Sequence, residues 1–374
     1  MLKQFDIRNY RFRLIAYVLI LTLIGIMVIG SAKESVQDKQ ILGLCMGLVF
    51  MVFVSLIDYS HLLRFWAFIY LFAIILLVVV LSPLGTEVNG AQRWISLPGL
   101  QFQPSELCKV LLILFFAAFF TRYHEYLNTF KMLAITIILI GIPLFLIYEE
   151  PDLSTTILTA GIFIILLFIA GLSYKIILTV LSAGIPAIIV FLFLISKQMI
   201  PFINEYQVGR ILAWINPEKY ADTAYQQQNA IMAIGSGQIW GKGLNNNSIT
   251  SVKNGNFISE PQTDFIFSIV GEELGFVGCS VVIILLFLIV FECVLVGRKA
   301  KDLAGRLICC GVAAWIGFQS FINICVNTGL MPNTGLPLPF VSYGLTSLLC
   351  LYIGIGLVLN VGLQPNKYGS GDIV

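Results

Sequence analysis

Ten apolar segments follow one another along the chain, at roughly 14–30, 41–57, 66–81, 107–121, 133–148, 154–170, 174–196, 264–296, 306–327 and 342–362. Most are near the ~20 residues needed to cross a hydrocarbon layer as a helix. Backbone groups in hydrocarbon must hydrogen-bond internally, so each segment is read as a helix. The expected fold is therefore an all-α polytopic membrane protein with ten transmembrane helices. Composition agrees, with 58% hydrophobic and only 11% charged residues. A net charge of +2 without a long basic stripe speaks against nucleic-acid binding.

Lys and Arg in short connections set the orientation. With the N-terminus inside, the inner side holds Lys3, Arg8, Arg11, Arg13, Arg64, Arg122, Lys131, Lys175, Arg298, Lys299, Lys301, Arg306 and Lys367. The short outer connections hold only Lys33, Lys39 and Arg93. This predicts N-in/C-in topology. It places residues 197–263 outside, as a large extracytoplasmic loop between helices seven and eight. A structureless loop of that length is unusual, so part of it is expected to fold as short helices on the outer face. Residues 1–374 are read as a single membrane domain. Eight cysteines are all in or beside apolar segments and none forms a CxxC pair. They are read as small buried hydrophobes, and no haem or iron–sulfur cluster is expected.

Five polar clusters stand in costly places. The first contains Gln103, Pro104, Ser105, Glu106 and Lys109. Pro104 suits a first helical turn, Glu106 the positive helix end, and Lys109 lies three residues on, where a pair can form. A paired, water-accessible site is expected, because ionisable groups inside a membrane are candidate functional groups. A structural ion pair is the alternative. The second cluster is Glu149, Glu150 and Asp152 around Pro151. Its charge crowding should raise at least one carboxyl pKa unless a cation answers it.

In the third, Asp264 stands where the long loop enters span eight. On a continuous helix, Ser268, Gly271 and Gly275 fall beneath it as a small polar strip, suited to a substrate groove or to a close helix contact. Glu272 and Glu273 continue the acidic character. The fourth is the glycine-rich run with Gly241 and Gly243, whose turns could cradle an anion. It lacks nucleotide-binding spacing, and no nucleotide is expected. The fifth, from Pro332 to Gly344, includes Pro337, Pro339 and Ser342, and should be non-helical.

In this order the clusters resemble the SEDS family of bacterial shape, elongation, division and sporulation proteins, of which RodA and FtsW are the main members. The matching pieces are Arg93-Trp94-Ile95, Gln103-Pro104-Ser105-Glu106 with Lys109, Pro151-Asp152-Leu153, Gly241-Lys242-Gly243, Thr263-Asp264-Phe265-Ile266-Phe267, Gly271-Glu272-Glu273-Leu274-Gly275 and Gly335-Leu336-Pro337-Leu338-Pro339-Phe340. The compact length is more similar to RodA. Glu150, Ser154, Gln238, Gln262 and Leu345 depart from the usual pattern.

The resemblance implies a peptidoglycan glycosyltransferase in the bacterial cytoplasmic membrane, with its active site facing outside. Its implied substrate is lipid II, a disaccharide-peptide on undecaprenyl diphosphate, and the growing glycan stays lipid-linked. The implied role is cell-wall synthesis in elongation or sporulation. A class B penicillin-binding protein is the implied transpeptidase partner, within a larger cell-wall synthesis complex. A divalent cation, Mg or Mn, is also implied. Asp264 stands at the family's essential aspartate and is the candidate general base. Lys109, Glu106, Arg93, Arg210 and Asp152 are candidates for substrate or diphosphate binding, with Asp152 and Asp264 possible metal ligands. Two other classes suit ten helices with buried charges: a lipid-precursor transporter, and a non-catalytic scaffold that activates a partner synthase.

Overall fold

The computed structural model describes residues 10–364, apart from 89–90, 98–99, 177, 180–181, 183, 185, 187–204 and 246–256. The seventh apolar segment, 174–196, therefore falls largely outside the described residues. The described helices are α1 Phe12–Ala32, α2 Gln37–Ser55, α3 Tyr59–Arg64, α4 Trp66–Leu81, α5 Pro104–Arg122, α6 Phe130–Glu149, α7 Leu153–Ile169, α8 Glu205–Ile215, α9 Ala221–Ser236, α10 Ile266–Arg298, α11 Leu303–Asn327 and α12 Leu345–Leu363. Seven of them are long and apolar enough to cross a membrane, and α4 and α7 are shorter apolar helices.

The chain is not wholly helical. Strands β1 Gly85–Val88, β2 Ala91–Leu97 and β3 Leu100–Phe102 form an antiparallel sheet in the order β1-β2-β3. It caps the connection between α4 and α5 and corrects the all-α expectation.

Helix α5 occupies the centre. It packs against α4, α7, α11 and α12. Phe115, Phe116, Phe119 and Phe120 stack with one another and with Trp66, Tyr70 and Phe163. Helices α2 and α6 are the periphery, where Phe53, Ile137 and Phe145 are exposed on the face left for lipid. Cys45 is exposed on α2, against the expectation that all eight cysteines are buried, and all eight are free thiols.

Helix α10 has 33 residues because it is two helices across a break. Gly275 sits at φ 66°, ψ −162°, a conformation open to glycine and strained for other residues. The break frees backbone groups that need partners. The glycine-rich loop after α9 supplies them. Phe276 N donates to Gln238 O (2.8 Å) and Val277 N to Ile239 O (3.2 Å), while Glu272 O and Glu273 O accept from Lys242 N and Gly243 N (both 2.9 Å). The Lys242 and Gly243 amides are spent on the helix and the Gly241 amide on Gly237 O (2.8 Å), not on an anion, which corrects the expected cradle at Gly241 and Gly243. The loop is close enough to need glycine: a Cβ on Gly241 would lie 2.2 Å from Glu273 O.

The long segment 197–263 folds in part as α8 and α9. Gln227 Nε2 on α9 donates to Val326 O (2.8 Å) and Met331 O (2.7 Å), and Trp214 Nε1 on α8 to Gly329 O (2.9 Å). These bonds fix both helices to the C-terminal end of α11 and bring Arg210, on α8, to segment 332–344, where its Nη1 donates to Asn333 O (3.4 Å).

Candidate functional site

A cavity of about 810 Å³ opens between the sheet, the ends of α5 and α7, α8 and the non-helical segment 332–344. Arg93, Glu106, Asp152, Arg210 and Asp264 line it, so five of the six candidate catalytic and binding residues, from distant parts of the chain, meet at one cavity, together with Gln103 and Pro337 of the first and fifth clusters. Lys33, Lys39, Glu260, Gln262 and Tyr343 also line it, and the motif analysis did not assign them there.

Asp264 is held by its backbone, leaving its carboxylate to the cavity. Asn323 and Asn327 on α11 donate from Nδ2 to Asp264 O at 2.8 and 3.0 Å. Ser342 Oγ donates to Thr263 O (2.7 Å), and Tyr343 N to Gln262 O (2.9 Å). The carboxylate makes no side-chain hydrogen bond among the described residues. Gly335, at φ 74°, passes beside it: a Cβ there would lie 3.4 Å from Asp264 Oδ2 and 3.6 Å from Arg210 Nη1. The space would admit a Cβ at ordinary contact distance, so it is the left-handed backbone conformation that favours glycine there. Burial pushes the Asp264 carboxyl up to about 6, against the lowering pull of Arg210 and Arg93. It ionises near neutrality, in the range suited to a proton acceptor.

Arg93, on β2, clamps the second cluster. Its Nε donates to Glu150 O at 3.2 Å, a second guanidinium nitrogen donates to Pro151 O, and Asp152 Oδ2 lies 4.0 Å from Nε. Asp152 caps α7 by accepting from Thr155 N at 3.0 Å. Glu150 is fully buried beneath, and neither carboxyl oxygen has a hydrogen-bond partner among the described residues. Burial, then Asp152, pushes it up to about 9 against the pull of Arg93, so it is a neutral acid at pH 7. The crowding expected among Glu149, Glu150 and Asp152 is met at Glu150.

The Glu106–Lys109 pair is closed. Lys109 Nζ donates to Glu106 Oε1 (2.6 Å) and Gln319 Oε1 (3.3 Å), and stands 4.9 Å from the Trp315 ring centroid. Gln319 Nε2 donates to Pro337 O at 2.9 Å. Lys109 is only 1% exposed and lies below the cavity wall, which Glu106 alone of the pair reaches. Lys109 is thus neither water-accessible nor placed to touch a ligand in the cavity. Pro104 opens α5, and Ser105 is buried beside Glu106.

The strip beneath Asp264 is a helix contact and not a groove. Ser268 is fully buried and its N–H donates to Asn327 Oδ1 at 3.2 Å; Gly271 meets Ile234 of α9. Glu272 pairs with Lys242 Nζ at 2.8 Å, and Glu273 accepts from Ser31 Oγ at 2.5 Å, both away from the cavity. Pro339 and Ser342 shape the 332–344 segment, which is non-helical as expected. Among the described residues no three His, Cys, Asp or Glu side chains come together to hold an ion. Asp152 and Asp264 each face an arginine. Among the described residues, the protein groups do not by themselves make the expected divalent-cation site.

The family described as FtsW, RodA and SpoVE cell cycle proteins matches residues 7–367. A probable peptidoglycan glycosyltransferase FtsW of Geobacter metallireducens is 32% identical over 373 residues, covering 96% of each chain. Another, of Nitrosomonas europaea, is 36% identical over 294 residues, covering 77% of this chain and 72% of that one. Among solved structures, one from work on the structural coordination of polymerization and crosslinking by a peptidoglycan synthase complex has a TM-score of 0.78 at 28% identity, covering 94% of this chain and 97% of that one. The rod shape determining protein RodA of Thermus thermophilus has a TM-score of 0.70 at 26% identity, covering 96% and 98%.

Proposed function

The chain belongs to the family of FtsW, RodA and SpoVE cell cycle proteins, a family of multi-pass membrane proteins, and from that premise we propose that it is a peptidoglycan glycosyltransferase polymerising lipid II. The observation that carries the reading is Asp264: a carboxylate fixed by its backbone, open to a cavity, and faced by Arg210 and Arg93.

Transfer needs a hydroxyl deprotonated and a leaving group neutralised. An acceptor sugar hydroxyl attacks the anomeric carbon of a lipid-linked glycan. The new C–O bond forms as the C–O bond to diphosphate breaks, and the electron pair leaves on the diphosphate oxygen. Asp264 takes the hydroxyl proton, a service typically worth ~10²–10⁴-fold. Arg210 and Arg93 stand where donors to the departing anion are wanted. Asp152 keeps Arg93 aimed. Lys109 acts from below, holding Glu106 and, through Gln319, the carbonyl of Pro337 on the cavity wall. A divalent cation, Mg or Mn, would supply further charge to the diphosphate, and its ligands would come in part from the diphosphate oxygens, since the protein set is incomplete. No step above depends on it.

The proposed topology has ten spans, N-in/C-in in the cytoplasmic membrane, so that the cavity meets the outward-facing sugar of a lipid-linked substrate. The sequence relatives carry the name FtsW and a solved neighbour the name RodA. The compact length resembles RodA, but an FtsW of Geobacter metallireducens matches over 96% of both chains, so length does not separate elongation from division. The synthase-complex neighbour supports a class B penicillin-binding protein as partner. The test is polymerisation of labelled lipid II by the purified chain, with and without its cognate transpeptidase, beside Asp264→Asn. Polymer from the unmutated chain alone or with the partner, and at least ~10²-fold less from the variant, is expected. Equal rates would favour a scaffold; lipid II movement across vesicles without polymer would favour a transporter.

A further inference from the structure

Segment 332–344 carries three prolines, Pro332, Pro337 and Pro339, and folds as neither helix nor strand. Its carbonyls have no ladder to enter, so they need donors from elsewhere. Side chains of three helices supply four of them. Arg210 Nη1 on α8 donates to Asn333 O (3.4 Å), and Ser154 Oγ on α7 to Thr334 O (2.5 Å). On α11, Asn323 Nδ2 donates to Leu336 O (2.7 Å) and Gln319 Nε2 to Pro337 O (2.9 Å). Of these four donors, only Asn323 also bonds the main chain of Asp264.

The Asn323 amide has two hydrogens, and they go to two distant parts of the chain. One bonds Asp264 O (2.8 Å) at the entry to α10, and the other bonds Leu336 O, next to Gly335. The orientation of this amide is set one turn further along α11. There Asn327 Oδ1 accepts from Ser268 N (3.2 Å), which turns Asn327 Nδ2 towards Asp264 O (3.0 Å) and Asn323 Oδ1 (3.3 Å). Both asparagines are at most 1% exposed, so bulk water does not compete for these bonds.

We infer that Asn323 is a positioning residue for the transfer: it sets the register between the proton acceptor and the wall that carries Arg210. This rests on the proposed polymerase reading. The hold on Asp264 is taken by its main chain, which leaves the carboxylate to the cavity. The wall beside it runs from Asn333, bonded to Arg210, past Gly335 to Leu336, bonded to Asn323. The base serves the bond that forms and the arginine the bond that breaks. Their spacing therefore bears on the chemical step more than on capture of the substrate. Asn323 touches no reacting atom and acts through Asp264.

The test is steady-state polymerisation of labelled lipid II by the full chain with its cognate transpeptidase, for Asn323→Ala, Asp264→Asn and the double variant. Asn323→Ala should lower kcat by roughly ten- to a hundredfold, since a displacement of ~1 Å at a reacting group can cost ~10²-fold. Half-saturating lipid II should be little changed. In the Asp264→Asn background the same substitution should cost almost nothing, because a residue that acts through Asp264 is not additive with it. Ser154→Ala frees the same wall without touching Asp264 and should cost less than Asn323→Ala. Asn323→Thr, whose hydroxyl has one hydrogen for two carbonyls, should fall between alanine and the unmutated chain. Asp264 O keeps its bond from Asn327, so these variants should insert, with a modest fall in melting temperature. Unchanged kcat in Asn323→Ala, a loss that Ser154→Ala reproduces, or a loss that adds in full to that of Asp264→Asn would overturn the inference and leave the polymerase reading standing. So would failure of both Asn323 variants to accumulate in the membrane, which would make Asn323 a packing residue. No polymer from the unmutated chain would overturn the polymerase reading and this inference with it.

Discussion

Two pairs of charges sit within one fold under opposite constraints. In the interior, Glu106 and Lys109 close to 2.6 Å, with Gln319 and Trp315 completing the lysine's surroundings. At the cavity, Arg93 stands 4.0 Å from Asp152, and Asp264 is left without a side-chain hydrogen bond among the described residues. The first arrangement completes itself and holds Pro337 in place. The second leaves the Asp264 carboxylate facing the cavity. Burial alone therefore does not mark a reacting group; what marks it is charge left unanswered on a surface that something can reach.

Breaking the inner pair should have the largest effect. Lys109→Met leaves Glu106 buried and unpaired, which costs ~3–5 kcal/mol. Thermal unfolding in detergent should show a large loss of stability. Glu106→Leu added to it should recover most of that loss, because a buried pair replaced by apolar groups is often near neutral. At the cavity the signature reverses. Asp264→Asn should cost at least ~10²-fold in polymerisation and little in melting temperature. A variant that melts as low as Lys109→Met would erase the contrast.

A third test uses protons. With its pKa raised to about 6, Asp264 is ionised at pH 7 and mostly protonated at pH 5, so turnover should fall about tenfold between them. That limb should be missing from the residual rate of Asp264→Asn. The smallest effect concerns Glu150. Its folded-state pKa of about 9 lies above its ordinary value, so its contribution to stability is full at acid pH and fades as pH rises towards 9. Glu150→Gln keeps the shape of the neutral acid. It should melt like the unmutated chain at pH 5 and higher than it at pH 8, with polymerisation nearly unchanged. Equal melting at both values would mean that Glu150 is ionised.

Most of the span pattern was legible because lipid imposes a length and a hydropathy on each helix. Most candidate residues were legible as polar groups in costly places, and five of the six candidate catalytic and binding residues meet at the cavity. The failures share a cause. Gly275 looked like one more small residue on an unbroken helix, because the break depends on a loop some 35 residues earlier to answer its backbone. The helical projection beneath Asp264 left a groove and a close helix contact both open, and the packing of Ser268 on Asn327 and Gly271 on Ile234 decides for the contact. The sheet did have a local signal, since Asn89-Gly90 between Val88 and Ala91 is a strong hairpin dipeptide. Lys33 and Lys39 were visible only as exceptions to the charge bias, and their common wall depends on tertiary structure.

The seam at Gly275 has a consequence for how the chain tolerates change. A Cβ on Gly237 would fall 1.9 Å from Gly271 O, one on Gly241 2.2 Å from Glu273 O, and one on Gly275 2.3 Å from Gly241 N. In each case the obstacle is backbone, which no rotamer change relieves. In a saturation mutagenesis screen read by growth, these three positions should tolerate substitution as poorly as Asp264. They carry no functional group at all. Only protein abundance measured beside growth separates them, since an Asp264 variant persists in the membrane and a seam variant does not.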